Sequence, residues 1–437
     1  MGALASAALV RPRFAAPDRP RPSDAQLRWQ QDELALFLHF GVNTFTDREW
    51  GDGREDPQIF APGALDARAW ARTARVAGFR AMILTAKHHD GFCLWPTRTT
   101  YHSVAASPFR GGSGDVVREF TEACRAEGLR AGLYCSPWDR NHPTYGDSDA
   151  YNQVYWAQLA ELLSNYGAIA EVWFDGANGE GPNGRRQAYD WPRTFALVRR
   201  LQPHAVIFSD AGPDVRWIGN EQGVAGETCW STIDPAAIPF PGFDGPDVGA
   251  RLQRGDPDGT VWRPGETDVS IRPGWFWHAA EDARVRSVDN LMELYTTSVG
   301  RNSKLLLNVP PTRAGLLGES DVAALQAFRS RREGLYGRNV ALHARVTHSG
   351  ASRLLSFASP VSFDTAVVAE DIRRGQQVAE YSLHARSEGQ WRQVLQGTTI
   401  GYKKIDRFPA LAADQVRLTI DRALGPVQLA SFALHTS

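Results

Sequence analysis

The sequence predicts an α/β protein in which a (β/α)8-like TIM barrel is followed by an antiparallel β-sandwich. First, short apolar runs alternate with amphipathic stretches from about residue 35 to about residue 335, the pattern of parallel strands with crossover helices. Second, about eight such units in ~300 residues suit a (β/α)8 barrel. No Gly-x-Gly-x-x-Gly turn follows the first run, as a dinucleotide-binding sheet would need. Third, the pattern changes after residue 338.

Eight apolar runs are the expected barrel strands, because runs this short suit buried strands better than helices. They are Ala35–Phe40, Phe79–Thr85, Arg130–Cys135, Ala170–Phe174, Ala205–Phe208, Val215–Ile218, Val269–Trp277 and Leu305–Val309. The expected helices are Leu65–Ala77, Asp115–Glu127, Ala150–Tyr166, Arg185–Leu201, Asp282–Val299 and Glu319–Arg332. Gly223–Gly265 is rich in Gly, Pro and Asp, which predicts a long loop over one face of the barrel.

The C-terminal part reads as short, often alternating runs separated by Gly, Ser and Asp turns, with no helical periodicity between them. The runs are Ala341–Thr347, Arg353–Phe357, Thr365–Ala369, Ala379–Ala385, Gln390–Gln396, Gln415–Ile420 and Val427–Leu434. This pattern is typical of a β-sandwich. We therefore expect a catalytic barrel over residues 27–337 and a sandwich over residues 338–437.

Residues 1–26 are expected to be a disordered leader or the remnant of a secretory signal. Ala3–Val10 is small and apolar, and Arg11–Pro22 is rich in Arg and Pro. The positively charged start of a typical signal is missing. A periplasmic or secreted location is the expectation, with a cytoplasmic one as the alternative.

Composition excludes several classes of function. The chain carries 48 Lys and Arg against 49 Asp and Glu, so no global positive field attracts nucleic acid or an anionic membrane. No apolar run approaches the ~20 residues of a membrane span. The four cysteines form no Cys-x-x-Cys pair, which disfavours a disulfide scaffold or a zinc cluster. Thirteen of the 14 tryptophans precede residue 340, so the first domain is expected to use flat aromatic faces.

Polar and aromatic residues follow the predicted barrel strands, at the end of the barrel where active sites gather. They combine carboxylates, histidines and tryptophans without a phosphate loop, a mixture that suits a sugar. Two carboxylates on separate strand ends can flank a glycosidic bond. The residues are His39, Glu49, Trp50, Lys87, His88, His89, Asp90, Tyr134, Ser136, Trp138, Asp139, Asp175, Asp210, Asn220, Glu221, Trp275, Trp277 and His278.

Several segments resemble, in order and context, the motifs of the α-L-fucosidases of glycoside hydrolase family 29. They are His39–Gly41, Glu49–Trp50, Lys87–Phe92, Trp173–Gly176, Arg301–Asn302 and Leu305–Pro311. The resemblance covers about residues 27–335, and that family also carries a β-sandwich behind its barrel. It implies that Asp175 is the nucleophile of a retaining hydrolase.

The segment Arg216–Glu221 looks like the branch of that family that prefers fucose α-1,3- or α-1,4-linked to GlcNAc in branched, Lewis-type glycans. The resemblance implies that Glu221 is the acid/base. Retention needs the two carboxyl groups ~5–5.5 Å apart. Glu221 must hold its proton near neutral pH, which burial or the charge of Asp175 can bring about.

The resemblance also implies a fucose pocket. His39, His88, His89 and Tyr134 would contact fucose hydroxyls or lie near the nucleophile. Glu49 and Trp50 belong to the same pocket, which Trp173 and Trp277 would line. Arg216 would orient Glu221, or would pair with a structural carboxylate. Asp190 and Trp191 would meet the next sugar.

No metal and no cofactor are expected. Adjacent residues on an extended segment point to opposite sides, so His88 and His89 do not easily bind one ion, and no His-Glu-x-x-His spacing occurs. The expected function is a retaining exo-α-L-fucosidase acting on a fucosylated oligosaccharide, with the oligomeric state open. The alternatives are a broad-specificity α-L-fucosidase, a non-catalytic fucose-binding protein on the same fold, and a metal-dependent hydrolase.

Overall fold

The computed structural model of the protein describes residues 19–436. Eight parallel strands form a closed barrel, and the chain then enters a six-stranded antiparallel sheet that forms a β-sandwich around its own apolar core. The predicted fold class is confirmed. None of the helices within residues 19–436 is long and apolar enough to cross a membrane.

The barrel closes because its first strand pairs on both edges. Leu36 lies opposite Met82 on one neighbour and opposite Leu307 on the other. The barrel strands are β1 to β6, β9 and β10, while β7 and β8 form a separate antiparallel pair. In chain order they are β1 Leu34–Leu38, β2 Ala81–Lys87, β3 Arg130–Cys135, β4 Glu171–Trp173, β5 Val206–Ser209, β6 Val215–Trp217, β7 Thr232–Ile233, β8 Val261–Trp262, β9 Gly265–Ser270 and β10 Lys304–Asn308.

Most of the barrel's outer helices start at an aspartate that the sequence places one residue ahead of them. The side chains of Asp66, Asp115, Asp147 and Asp190 each accept a hydrogen bond from a backbone N–H in the first turn of α3 to α6, which stabilises a helix start. The helices are α1 Asp24–Gln31, α2 Val42–Thr46, α3 Ala67–Val76, α4 Val116–Glu127, α5 Ser148–Asn165, α6 Trp191–Leu201, α7 Val248–Arg254, α8 Val288–Thr297 and α9 Glu319–Tyr336.

The seventh barrel strand lies earlier than predicted. We expected Val269–Trp277, but β9 ends at Ser270. Pro273 follows shortly after, and proline cannot donate to a sheet ladder. The Ser270 hydroxyl donates to Gly274 O at 2.6 Å, which closes a tight turn. Trp275 and Trp277 therefore lie in the loop after the strand.

The long connection between β6 and β9 is partly ordered rather than a plain loop. It contains the β7–β8 pair and α7, which hold a small apolar cluster of Ile233, Ile238 and Leu252. The same connection brings Gly242 and Phe243 over the mouth of the barrel. The sequence predicted the position of this covering segment correctly, but it did not predict the strand pair and the helix within it.

The second domain has two unusually long strands. The predicted runs Arg353–Phe357 and Thr365–Ala369 are parts of one strand, whose register shifts between Ser356 and Val361, as expected where a strand bends between two layers. Phe363, from the middle of this strand, is fully buried in the domain's core. The strands are β11 Arg345–Ser349, β12 Ser352–Glu370, β13 Val378–Ser387, β14 Gln390–Gly397, β15 Lys404–Ala423 and β16 Leu429–His435.

The leader prediction for residues 1–26 is wrong in its last part. Ser23 caps α1, which begins at Asp24. Gln26 donates to Asp214 O and Trp262 O, both at 2.7 Å, so this helix is tied to the barrel. The rest of the predicted leader, residues 1–18, lies outside the described residues.

Candidate active site

A cavity of about 500 Å³ opens at the carboxyl ends of the barrel strands. Nine of the eleven residues that the sequence predicted for the site line it. They are His39, Glu49, Trp50, His88, His89, Tyr134, Trp173, Asp175 and Glu221. Tyr134 lies on β3, Trp173 lies on β4, and the others lie in segments that follow the barrel strands.

Asp175 stands just beyond the end of β4, with both carboxylate oxygens hydrogen-bonded. Its Oδ1 accepts from the backbone N–H of Ala177 at 2.7 Å, which is an Asx turn. Its Oδ2 accepts from the Tyr134 hydroxyl at 3.1 Å. The side chain is still 26% exposed, so a ligand in the cavity can reach it. Asp175 thus makes a turn and also faces the cavity.

His89 lies beside Asp175, and its tautomer follows from its other partner. The Ser136 hydroxyl donates to Trp138 O at 2.7 Å, so it accepts from His89 Nδ1–H, also at 2.7 Å. The other ring nitrogen, Nε2, then faces Asp175 Oδ2 at 3.9 Å. Burial lowers the pKa of His89, although the charge of Asp175 opposes that shift.

His39 is held in one tautomer by Asn308, from the Leu305–Pro311 segment. Asn308 donates its amide to Ser270 Oγ at 2.9 Å and to Trp275 O at 2.8 Å. Its Oδ1 therefore accepts from His39 Nδ1–H at 2.9 Å. Burial lowers the pKa of His39 to about 3, so the ring is neutral and its Nε2 can accept a hydrogen bond.

His88 is also neutral, because burial lowers its pKa well below the ordinary value. Its ring lies nearly parallel to that of Tyr134, with the centroids 5.8 Å apart. Its Nδ1 is buried without a hydrogen-bond partner among the described residues, and Asp90 Oδ2 is 3.8 Å away. A buried polar nitrogen without a partner is costly, so a ligand or water hydrogen-bonded to it would remove a penalty.

Trp173 is set against the cavity floor by contacts on both faces. Its ring stacks on Phe208 with centroids 4.0 Å apart, and Tyr134 lies on the other side at 5.2 Å. Its indole N–H donates to Glu266 Oε1 at 3.0 Å. The ring therefore has little freedom to move, which suits a surface for an apolar sugar edge.

Glu221 occupies the solvent-exposed rim of the cavity. Its Oε2 accepts from the indole N–H of Trp275 at 3.2 Å. Partial burial of the carboxyl group raises its pKa, and the charges of Asp175 and Glu49 raise it further, against the opposing effect of the indole. The group therefore holds its proton to a higher pH than an ordinary glutamate.

Glu49 shapes the loop that carries Trp275. Its Oε2 accepts from Trp275 N–H at 2.8 Å, and its Oε1 accepts from Phe276 N–H at 3.1 Å. His278 Nε2 lies 2.7 Å from Oε1. Burial would lower the pKa of His278, but its hydrogen bonds to Asp47 and Glu49 raise it.

Trp50 is 54% exposed and stands at the cavity edge. Its ring makes edge contacts to His89 at 5.5 Å and to Trp138 at 5.4 Å. An exposed aromatic face beside a polar cavity is suited to a sugar ring.

Two further carboxylates of the cavity carry raised pKa values. Asp268, on β9, is buried and accepts from Trp217 Nε1 at 2.7 Å. Burial and the charge of Glu221 raise its pKa to about 8. Asp210 accepts from Gly242 N–H at 2.8 Å, and burial raises its pKa to about 6. Sequence reasoning missed Asp268, although the polar alternation of Glu266, Asp268 and Ser270 could have indicated an inward-facing strand.

Arg216 is directed away from Glu221, and among residues 19–436 it forms no salt bridge, although the charge of Asp256 acts on its guanidinium. It is fully buried and donates to Leu252 O at 2.8 Å, to Trp230 O at 2.9 Å and to Arg263 O. Successive residues of a strand point to opposite faces. Because Trp217 faces the cavity, its neighbour faces outward and binds the covering connection.

Trp277 does not line the cavity either. Its indole N–H donates to Asp282 Oδ1 at 3.3 Å, and Trp275 takes the predicted place in the wall. The cause is the earlier end of β9. The suggestion that Asp190 and Trp191 meet a second sugar is also wrong. Asp190 caps α6, and Trp191 is buried among Phe174 and Phe195.

Within residues 19–436, no group of three or more His, Cys, Asp or Glu side chains is arranged to hold a metal ion. The four cysteines are free and buried, and burial raises the pKa of Cys135 to about 11. A thiolate at the mouth is therefore disfavoured.

Comparison with known proteins is consistent across sequence and structure. Residues 39–329 match the sequence model of the family described as Alpha-L-fucosidase. Alpha-L-fucosidase 1 of Arabidopsis thaliana is 42% identical over 453 residues, which cover 96% of this chain and 88% of that protein.

Two solved structures show the same architecture. A glycoside hydrolase 29 family member from an unknown rumen bacterium superposes with a TM-score of 0.91 at 42% identity, over 96% of this chain and 78% of that one. The Ruminococcus gnavus GH29 fucosidase in complex with fucose gives 0.88 at 31% identity, over 97% of both chains. The chain therefore belongs to the α-L-fucosidases of glycoside hydrolase family 29 and is a glycoside hydrolase.

Proposed function

We propose that this α-L-fucosidase is a retaining exo-enzyme that removes terminal α-1,3/1,4-linked L-fucose from branched, Lewis-type glycans by double displacement. The observation that carries the proposal is the pairing of Asp175 and Glu221 in one cavity. Asp175 is oriented by two donors, and Glu221 has a raised pKa. A nucleophile and a proton donor are the two groups that retention needs.

In the first step, Asp175 attacks the anomeric carbon as Glu221 gives its proton to the glycosidic oxygen. The bond from the anomeric carbon to that oxygen breaks, and the leaving sugar departs as an alcohol. The negative charge of Asp175 is then consumed in the fucosyl ester, so it no longer raises the pKa of Glu221.

In the second step, Glu221 takes a proton from water while the water oxygen attacks the anomeric carbon. Asp175 leaves as a carboxylate, and Glu221 is protonated again for the next turnover. The change in charge at Asp175 thus moves Glu221 between its acid and base forms.

The rest of the pocket is suited to a neutral sugar. We assign His39, His88 and His89 to fucose hydroxyls, because burial lowers the pKa of each ring. Each ring therefore offers hydrogen-bonding nitrogens without a charge. Trp50 supplies an exposed aromatic ring, and Trp173, whose faces are covered by Phe208 and Tyr134, lines the cavity as a fixed ring. Glu49 completes this pocket by holding the Trp275 loop.

The linkage preference rests on the likeness of Arg216–Glu221 to the branch that takes α-1,3/1,4-linked fucose. The covering connection supports a selective leaving-group site, because Gly242 and Phe243 line the same cavity as Glu221. A broad-specificity enzyme is the alternative. Rates on Lewis a or Lewis x trisaccharide, on an α-1,2-fucoside and on a simple aryl fucoside decide between them, since rapid cleavage of either of the last two removes the preference.

Two variants test the mechanism. Asp175→Ala should abolish turnover while fucose still binds by calorimetry, and retained activity would remove Asp175 from the mechanism. Glu221→Ala should slow glycan hydrolysis strongly, and azide should restore part of the rate on an activated aryl fucoside. NMR of the first-formed anomer tests retention. A protein that binds fucose without any turnover would be the non-catalytic alternative.

We also propose that the enzyme acts in the periplasm or outside the cell. The support is the small, apolar segment Ala3–Val10 and a substrate class found on extracellular glycans. Cell fractionation with an activity assay tests it, and activity confined to the cytoplasm would favour the alternative.

A further inference from the structure

The motif Arg301–Asn302 has so far been given no role, and it lies against the segment that carries Glu221. We call residues 219–231 the acid/base loop. Arg301 Nη1 donates to Ala225 O at 2.9 Å, and its Nη2 is 3.7 Å from Glu227 Oε1. Asn302 Nδ2 donates to Cys229 O at 2.9 Å and to Ser231 Oγ at 3.0 Å. Both motif residues thus bind this loop rather than the cavity.

The second domain binds the same part of the loop, next to Asn302, whose Nδ2 also donates to Gln376 Oε1 at 3.2 Å. Gln376, fully buried, accepts from Ser231 N–H at 2.7 Å and donates to Cys229 O at 3.0 Å. Thr399 Oγ1 accepts from Cys229 N–H at 2.8 Å. Asn302 Oδ1 in turn accepts from Tyr402 N–H at 2.7 Å. The domain interface therefore satisfies the backbone of Cys229 and Ser231 with buried side chains.

These anchors continue toward Glu221. Ala225 N–H donates to Thr297 O at 2.9 Å, so both backbone polar groups of Ala225 are paired. Asn220 closes the turn that holds Glu221, since its amide donates to Val224 O and its Oδ1 accepts from Gln222 N–H, both at 2.9 Å. Glu221 therefore sits in a short turn whose far end is fixed to the barrel and, through residues 229–231, to the second domain.

We propose that Arg301, Asn302 and Gln376 are positioning residues that hold the acid/base loop, so that the second domain takes part in catalysis by fixing where the Glu221 carboxyl group stands. The proposal rests on the proposed role of Glu221. It gives the second domain a function other than carbohydrate binding. It also explains why the Arg301–Asn302 pair lies between the barrel and the sandwich.

A misplaced general acid slows substrates with poor leaving groups selectively, whereas general damage to the active site slows all substrates. A leaving group that departs easily needs little protonation, whereas a sugar alkoxide needs a well-placed proton. Loosening the loop should therefore slow glycan hydrolysis and spare an activated aryl fucoside. A misplaced nucleophile or a damaged fucose pocket would slow both substrates alike.

The test compares kcat/KM on a Lewis-type trisaccharide and on a dinitrophenyl α-L-fucoside in the full chain. Gln376→Ala should lose about ten-fold on the trisaccharide and less than about three-fold on the aryl fucoside, a part of the ~10²–10⁴-fold that a general acid supplies. If both rates fall equally, the proposal is overturned.

A second pair of variants guards against a folding defect in Gln376→Ala. Arg301→Met removes the donor to Ala225 O, whereas Arg301→Lys can restore one donor. We expect the methionine variant to show the selective loss and the lysine variant to recover part of the trisaccharide rate. Equal rates in the two variants would contradict the proposal.

Phe363→Leu is the matched control, because Phe363 belongs to the core of the second domain and makes none of the loop contacts. It should lower the melting temperature without changing the ratio of the two rates. The same selective loss in this variant would reduce the effect to general destabilisation and overturn the proposal.

Glu221→Ala provides the reference for a complete loss of the proposed acid. If it shows no dependence on the leaving group, the proposed role of Glu221 fails first, and this inference fails with it.

Discussion

The hydrogen bond between Trp275 and Glu221 allows the pKa of the proposed acid to be changed by a single substitution and measured. Trp275→Phe removes the indole N–H that donates to Glu221 Oε2 at 3.2 Å and keeps an aromatic ring beside His39. The indole stabilises the ionised carboxylate and so opposes the raised pKa. Its loss should therefore raise the pKa of Glu221 further.

The size of the shift follows from the bond. A hydrogen bond to a charged group contributes about 1.5–3 kcal/mol. This one is long, and the carboxyl group is at an exposed rim, so water replaces part of it and ~0.5–1 kcal/mol is a fairer value. At about 1.36 kcal/mol per pKa unit, the shift is ~0.4–0.7 unit.

The sign follows from the role of the acid. Glu221 must carry its proton, so kcat/KM is full below its pKa and is lost as the pH rises through that pKa. Trp275→Phe should therefore move the basic limb of the pH profile to higher pH by about half a unit.

The assay is kcat/KM across both limbs on a fucoside with a poor leaving group. Trp277→Phe is the control, because that indole donates to Asp282 and its loss should leave the basic limb in place. A basic limb that stays fixed or moves to lower pH in Trp275→Phe would refute the reasoning. A shift of the same size in the control would do so too.

Three other changes have defined outcomes. Asp268 keeps its proton in the folded state to about pH 8, against an ordinary pKa of 3.8. The folded state therefore binds more protons within this window, and its stability falls as the pH rises. Asp268→Asn should remove that loss, so its melting temperature relative to the wild type should increase with pH, and a difference independent of pH would contradict this. In Gly179→Ala, the new Cβ would lie 2.1 Å from Trp138 Cζ2. The indole beside His89 must therefore move, and KM for fucosides should rise. Gly63→Ala is the control and should leave KM unchanged, because no atom lies within 4 Å of its new Cβ. Tyr134→Phe removes the hydroxyl that donates to Asp175 Oδ2, and a hydrogen bond to a charged acceptor contributes about 1.5–3 kcal/mol. We therefore expect kcat/KM to fall about ten- to hundred-fold while the circular dichroism spectrum stays unchanged. A loss below about two-fold would show that this hydrogen bond does not orient the nucleophile.

Burial patterns are local, so much of the architecture was readable from the sequence. Short apolar runs predicted seven of the eight barrel strands closely and β9 only in its last two residues. The aspartates that cap α3 to α6 are a further local signal, which the sequence prediction did not use. The barrel's connectivity then brings the strand ends together. That is why nine predicted residues from distant parts of the chain line one cavity.

The errors in the predicted cavity lining arose where they depended on the exact residue at which a strand begins or ends. β9 runs over Gly265–Ser270, several residues before its predicted range. Because of this difference, Trp275 lines the cavity instead of the predicted Trp277. Asp268 was missed because it lies one residue before the predicted start of the strand. A strand shift changes which side chains face inward, and the apolar run itself does not show where pairing begins.

By itself, the sequence determined the order of the elements, their burial, and the kinds of side chain at the barrel mouth. Only the tertiary structure decided which of these side chains touch. Glu49 binds the backbone of Trp275, 226 positions away in the chain, and Trp275 binds Glu221. Gln376 of the second domain likewise reaches Cys229. Local periodicity reports that a residue is buried, whereas its partner depends on which loops meet across the barrel, and sequence separation carries no information about that.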